Sequence, residues 1–226
     1  MKTLILFCSI ASFSLVIFAG ELLGAHHTED HLVPFRPSVY DEIRPSVYKK
    51  LFLTQADCGR MLEFPQDRDR GESVVSVYCD KSSGDEQCHV TLTKAMKNIG
   101  YIRDDNLREF PVALIEKVRV LRTDASIPSS TALAIRAAWT KMLHNIKPRR
   151  PDNSVVLDGE KIEFWVAPKD GKSLKGEIPD RPGKPVIAFV RLGRLLAAYC
   201  EAPRSARALM IGDIGRQANA VSAFGH

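Results

Sequence analysis

The sequence predicts an α+β fold: an antiparallel sheet built from two β-hairpins plus one or two further strands, packed against two or three helices. Three observations carry that expectation. Residues 73–80 and 87–93 alternate apolar and polar side chains on either side of a Gly-containing turn. Asp158-Gly159, a favoured pair for a tight hairpin turn, sits between Val155 and Leu157 on one side and Ile162, Phe164 and Val166 on the other. Ile135, Trp139, Met142 and Ile146 recur at helical spacing, the pattern of one buried helix face.

The chain begins differently. Lys2 precedes an apolar run from Leu4 to Phe18, followed by small residues at Ala19, Gly20 and Ala25. This is the profile of a secretory signal peptide over residues 1–25, removed on export. An uncleaved anchor is the rival, but the run is shorter than the roughly 20 residues that span a bilayer, and no Lys/Arg cluster follows it. Residues 26–50 read as a polar tail or linker. They hold a tandem duplication, in which Arg36-Pro37-Ser38-Val39-Tyr40 returns as Arg44-Pro45-Ser46-Val47-Tyr48. Two short copies are too few for a solenoid, so the segment reads as a slipped duplication. The sharper alternative is an arm presenting Tyr40 and Tyr48 to a partner. A single α+β domain is then expected over residues 51–220.

Within it, Thr54 is placed to cap a helix over 55–63, with Asp57 as the acidic partner of a capping box, and Pro65 ends it. The hairpin follows. A two-residue turn at Ser83-Gly84 sets Cys79 opposite Cys88, Val77 opposite Val90, and Val75 opposite Leu92. Those six residues share one face, while Ser76, Tyr78, Gln87, His89 and Thr91 occupy the other. Directly opposed Cβ atoms on antiparallel strands lie near disulfide distance. With Cys8 lost in the signal, four cysteines remain and allow three pairings; the register selects Cys79–Cys88 and leaves Cys58–Cys200 as the second disulfide.

Residues 94–110 read as the end of a strand running into a polar loop. Residues 112–122 alternate as a further strand, although Glu116 on the apolar side leaves room for a helical start. Ser129 and Ser130 are expected to cap a helix reaching about Asn145, which Pro148 ends. After the second hairpin, a Gly- and Pro-rich loop holds a short strand at 173–178. The apolar segment from Pro185 to Cys200 reads as a buried helix with Gly193, Leu196, Ala197 and Cys200 on one face, its alternative being a strand over 186–190. A last, weaker helix starts at Pro203 and frays after Ala218.

Chemistry is sparsely signalled. The net charge of +5 is dispersed, and only Lys147, Arg149 and Arg150 cluster, in a proline-flanked loop. Nucleic acid is therefore not expected as a partner. His26, His27 and His31, with Glu29 and Asp30, offer metal-ligand chemistry in a segment that also reads as a solvated tail. His89 and His144 have no partner at ligand spacing. There is no Gly-x-Ser-x-Gly elbow, and Gly171-Lys172-Ser173 lacks the earlier glycine and following helix of a phosphate loop. Cys58 near a helix start has the setting of a reactive thiol, but export favours its oxidation. Asp104-Asp105 and Glu160 with Glu163 are candidate carboxylate pairs only by being acidic, and read as solvated loop or strand edge. No catalytic residue, cofactor or metal follows from the sequence, and no motif ties the chain to a family. The functional expectation is a secreted or periplasmic, non-catalytic binding module for a protein or envelope component, touching a membrane only through an uncleaved signal. A small secreted hydrolase with a dispersed active site is the alternative.

Overall fold

The computed structural model describes residues 28–35, 41–42, 44–52, 58–67, 69–80, 87–99, 112–149, 161–167 and 173–224 of the 226-residue chain. The expected signal segment, His26, His27, the first Arg-Pro-Ser-Val-Tyr copy, Asp104-Asp105, Glu160, Gly171-Lys172 and the tight turns expected at 83–84 and 158–159 lie outside these residues.

Six antiparallel strands form one sheet in the order β4-β3-β2-β1-β5-β6. In chain order the described elements are α1 (Arg44–Leu51), β1 (Gly59–Phe64), β2 (Ser73–Asp80), β3 (Gln87–Ala95), α2 (Val112–Lys117), β4 (Val120–Ile127), α3 (Ser129–His144), β5 (Lys161–Val166), β6 (Leu174–Glu177), α4 (Lys184–Glu201) and α5 (Arg204–Ala223). The α+β class is as the sequence predicts. No helix among the described residues is long and apolar enough to cross a membrane.

The β2–β3 register is the expected one: Cys79 faces Cys88, Val77 faces Val90 and Val75 faces Leu92. The Cys79–Cys88 disulfide is formed. One face of the sheet buries Met61, Val75, Val77, Val90, Leu92, Ile162, Phe164 and Val166 against the three long helices. From α3, Ile135, Trp139 and Met142 enter this core, with Ile146 partly buried beside it. From α4, Gly193, Leu196 and Cys200 face inward. Gly193 permits the close approach of α4 to β1, since a Cβ there would fall 2.6 Å from Met61 Cε.

Part of the opposite face is buried too, which the sequence reading missed. Leu62, Phe64, Val74 and Ala95 form a second core with Val47 and Leu51 of α1, Ile99, Ile115 and Val118. Residues 44–50, expected as linker, therefore belong to the domain, as does the strap at 28–35. Leu32 and Val33 are fully buried, and Val33 bridges to Glu177 at the β6 edge. The second Arg-Pro-Ser-Val-Tyr copy is helical because a proline fits the first turn of a helix, where its missing N–H loses no bond.

Several further expectations are corrected. The helix over 55–63 is replaced, in its described part, by β1. Met61 and Leu62 are both buried, on opposite faces, so the segment lacks the one-sided alternation that marks a strand. Residues 112–122 divide into a helical turn, α2, and the start of β4. Ser129 and Ser130 are the first two residues of α3, and Pro128 holds the cap position. The last helix runs on to Ala223. Strand β5 forms, but its described hairpin partner is β6, the short strand expected at 173–178.

The second disulfide is also corrected. Cys58 and Cys200 are buried thiols, not joined to each other. Cys58 immediately precedes β1, with its sulfur against Cys79. Cys200, near the end of α4, donates to the Val90 carbonyl at 3.3 Å. Burial pushes the Cys200 thiol up to about 12, so it is protonated at neutral pH.

Candidate functional site

Side-chain alternation places Lys161, Glu163 and Trp165 of β5 on the face away from the long helices, because Ile162, Phe164 and Val166 occupy the other. Strand register then aligns neighbours in rows. Arg60 and Lys175 flank Trp165, Leu62 and Glu177 flank Glu163, and Phe64 lies beside Lys161. Helix α1 supplies Arg44 and Tyr48 to these rows.

The result is a buried ionic network around two carboxylates, Glu163 at 0% and Glu177 at 2% exposure. Tyr48 donates its hydroxyl to Glu163 Oε2 at 2.7 Å. Glu163 Oε1 lies 3.2 Å from Arg44 Nε and 3.3 Å from Lys161 Nζ. Lys161 Nζ also lies 3.5 Å from Glu177 Oε2, while Arg149 joins Glu177 Oε1 at 2.5 Å and Asp180 at 2.8 Å. Arg44 pairs in turn with Asp41. Each of the four carboxylate oxygens thus faces a cation or a hydroxyl. Glu163 is not the solvated strand-edge acid the sequence suggested.

Aromatic rings border this network. Trp165 receives Tyr48, Phe52 and Phe35 edge-on at centroid separations of 5.2, 5.3 and 5.4 Å. Tyr48 stacks on Phe52, and the Arg60 guanidinium lies 4.0 Å from the Phe52 ring centre. Burial draws the Arg60 guanidinium down to about 10.

Burial holds the Glu163 carboxyl above its ordinary range, although Tyr48, Lys161 and Arg44 oppose that shift. Burial and the Glu163 charge raise Tyr48 well above a normal phenol, so it remains a donor. For Glu163 the folded chain binds the extra proton, so stability falls as pH rises from the unfolded value, about 4.3, to the higher folded one. The Glu163→Gln variant lacks this loss. Urea unfolding over a pH series is expected to show wild-type stability declining relative to the variant within that window and running parallel to it above. A relative gain with rising pH would reverse the assigned sign.

A second group lies on the same side of the sheet, on β2, β3 and β4. Tyr78 and His89, opposed across the strands, stack at 5.3 Å. Arg122 grips Asp124 through two nitrogens at 2.9 and 3.0 Å, and Thr91 donates to Asp124 at 2.5 Å. Burial acts to raise the Asp124 carboxyl, but the bonds from Arg122 and Thr91 and the nearby charges outweigh it, leaving a net downward shift. Arg122, Asp124 and Ser126 are exposed, with Tyr78 and His89 half-buried. The Thr91 hydroxyl is committed to a carboxylate, which is not the arrangement that activates a nucleophile through an imidazole.

A recess of about 220 Å³ lies between α1 and α2, lined by Ser46, Lys49, Lys50, Ile115 and Glu116. It touches neither carboxylate of the buried network. His31 lies 4.0 Å from Glu29 in the ordered strap, and His144 is exposed at the end of α3. Among the described residues no cluster of His, Cys, Asp or Glu forms a metal-binding set. Sequence reasoning missed Glu177, Tyr48 as a donor, Arg44, Lys161 and the Arg122–Asp124 pair. The visible signal for the first group was Trp165, which alternates with Ile162, Phe164 and Val166, and Val74, which alternates with Val75 and Val77: apolar residues on the side of each hairpin away from its apolar row. Comparison with family models, curated proteins and solved structures finds no match for this chain.

Proposed function

We propose that this protein is an exported, non-catalytic binding module that engages a protein or envelope component through the polar face of β2–β4. The observation that supports it most strongly is the state of the convergent carboxylates. Glu163 and Glu177 are buried, held at every oxygen, and apart from the described recess. A hydrolytic acid or base needs an oxygen within reach of substrate. The Tyr78–His89 stack and the Arg122–Asp124 pair instead present aromatic and guanidinium groups already fixed in place, and Tyr and Arg are enriched where interfaces concentrate their binding energy. The signal-like N-terminus and the Cys79–Cys88 disulfide favour an oxidising compartment.

The test is a photocrosslinker, p-benzoylphenylalanine, placed at Tyr78 of the full chain in its native compartment. The expected result is one discrete adduct, competed by excess unlabelled protein and reduced about tenfold by Arg122→Ala, the effect of losing one interface arginine worth ~1.4 kcal/mol. The same probe at Leu209, exposed on α5, is expected to give no such adduct. Equal crosslinking at both positions would defeat the proposed face. Turnover of ester, peptide or glycoside substrates that is lost in Glu163→Gln would replace the binding module with the hydrolase.

A further inference from the structure

Three sulfur atoms converge at one end of β1–β3. The Cys79–Cys88 bond links β2 to β3, and Cys58 Sγ lies 3.7 Å from Cys79 Sγ. Cys58 and Cys88 are each 2% exposed, and Cys79 is half-buried. The backbone builds this convergence. The Cys58 N–H donates to the Val77 carbonyl at 3.1 Å, and Gly59 aligns with Val77. Unbroken alternation from Met61 would direct Cys58 to the opposite face of the sheet. Gly59, at φ 135°, interrupts that alternation, and Cys58 joins the same core as Met61, Val77 and Cys88.

We propose that Cys58 is the attacking thiol of an intramolecular thiol–disulfide exchange, giving the domain two disulfide isomers that share Cys79. The Cys58 thiolate attacks Cys79 Sγ. The Cys58–Cys79 bond forms as the Cys79–Cys88 bond breaks, and the electron pair leaves on Cys88, which takes up the proton that Cys58 gave. One thiol and one disulfide stand on each side, so no external oxidant or reductant enters. One isomer clamps β2 to β3; the other clamps β1 to β2 and releases a thiol on β3. Cys200 does not compete, because its sulfur is a protonated donor to Val90.

The full-length protein, purified oxidised, is incubated over a pH series and quenched in acid. It is then digested with pepsin and its bridges are mapped without reduction. The expected result is a Cys58–Cys79 bridge growing beside Cys79–Cys88, at a rate independent of protein concentration. Below the thiol pKa that rate rises about tenfold per pH unit, as the thiolate fraction does. Cys58→Ser, with circular dichroism as the check on folding, is expected to retain Cys79–Cys88 alone. Wild-type protein holding only Cys79–Cys88 across the series overturns the proposal. So does a Cys58–Cys79 bridge whose rate scales with concentration, since that is exchange between molecules.

Discussion

Gly59→Ala is expected to destabilise the domain by about 3–5 kcal/mol, roughly 1–2 from forcing a non-glycine residue to positive φ and the rest from overpacking. Gly59 has φ 135°, outside the range L side chains adopt readily. Its missing Cβ is also where the indole of Trp139 rests: an added Cβ would lie 2.7 Å from Cζ3 and closer still to Cε3. Trp139 is fully buried and packs edge-on to Phe189 at 6.4 Å, so it has no free direction in which to yield. Urea unfolding followed by circular dichroism checks the magnitude. A double-mutant cycle with Trp139→Leu separates the two causes. In that background the steric part disappears, and Gly59→Ala is expected to cost only about 1–2 kcal/mol. An unchanged cost would mean that the indole is not the obstacle.

The first hairpin was legible because its information is local. Turn length and apolar alternation both lie within about twenty residues, and together they set the Cys79–Cys88 pair. Helix α3 was legible for the same reason, through the spacing of Ile135, Trp139 and Met142. Strand β1 was not, because it is central: its neighbours β2 and β5 on either side and a core on each face remove the alternation a half-exposed strand displays. The buried carboxylates were hidden by a related assumption. Once Ile162 and Phe164 were assigned to the core, alternation sent Glu163 to solvent. Only the tertiary placement of α1 turns that face into an interior, and α1 lies in sequence that reads as a linker.

The cysteines separate local from tertiary information most sharply. Pairing Cys58 with Cys200 followed from counting, after the hairpin had claimed the other two. Geometry instead takes Cys58 to Cys79 through β1–β2 pairing, and α4 carries Cys200 over Val90, one same-face position along β3 from Cys88. Neither displacement is visible in spacing, since one depends on the backbone of Gly59 and the other on how a helix lies across a sheet.

Lys161→Met is expected to cost about 3–5 kcal/mol, the range for removing one partner of a buried ion pair. The side chain is 15% exposed, and its ammonium lies between Glu163 Oε1 at 3.3 Å and Glu177 Oε2 at 3.5 Å. Cross-strand pairing holds those two acids side by side, and like charges opposed on neighbouring strands repel. Methionine keeps most of the apolar stem that runs beside Phe64, so the loss falls mainly on the charge. Arg44 still pairs with Glu163 Oε1 and Arg149 with Glu177 Oε1, but the ammonium that contacts both carboxylates is gone. Adding Glu163→Gln neutralises one of the pair and is expected to restore more than half of the loss, because the repulsion and the uncompensated buried charge both disappear. Chemical denaturation of wild type, the two single variants and the double variant supplies the complete cycle. Strictly additive losses would show that Lys161 acts by packing, and that the two carboxylates are held apart by their arginines alone.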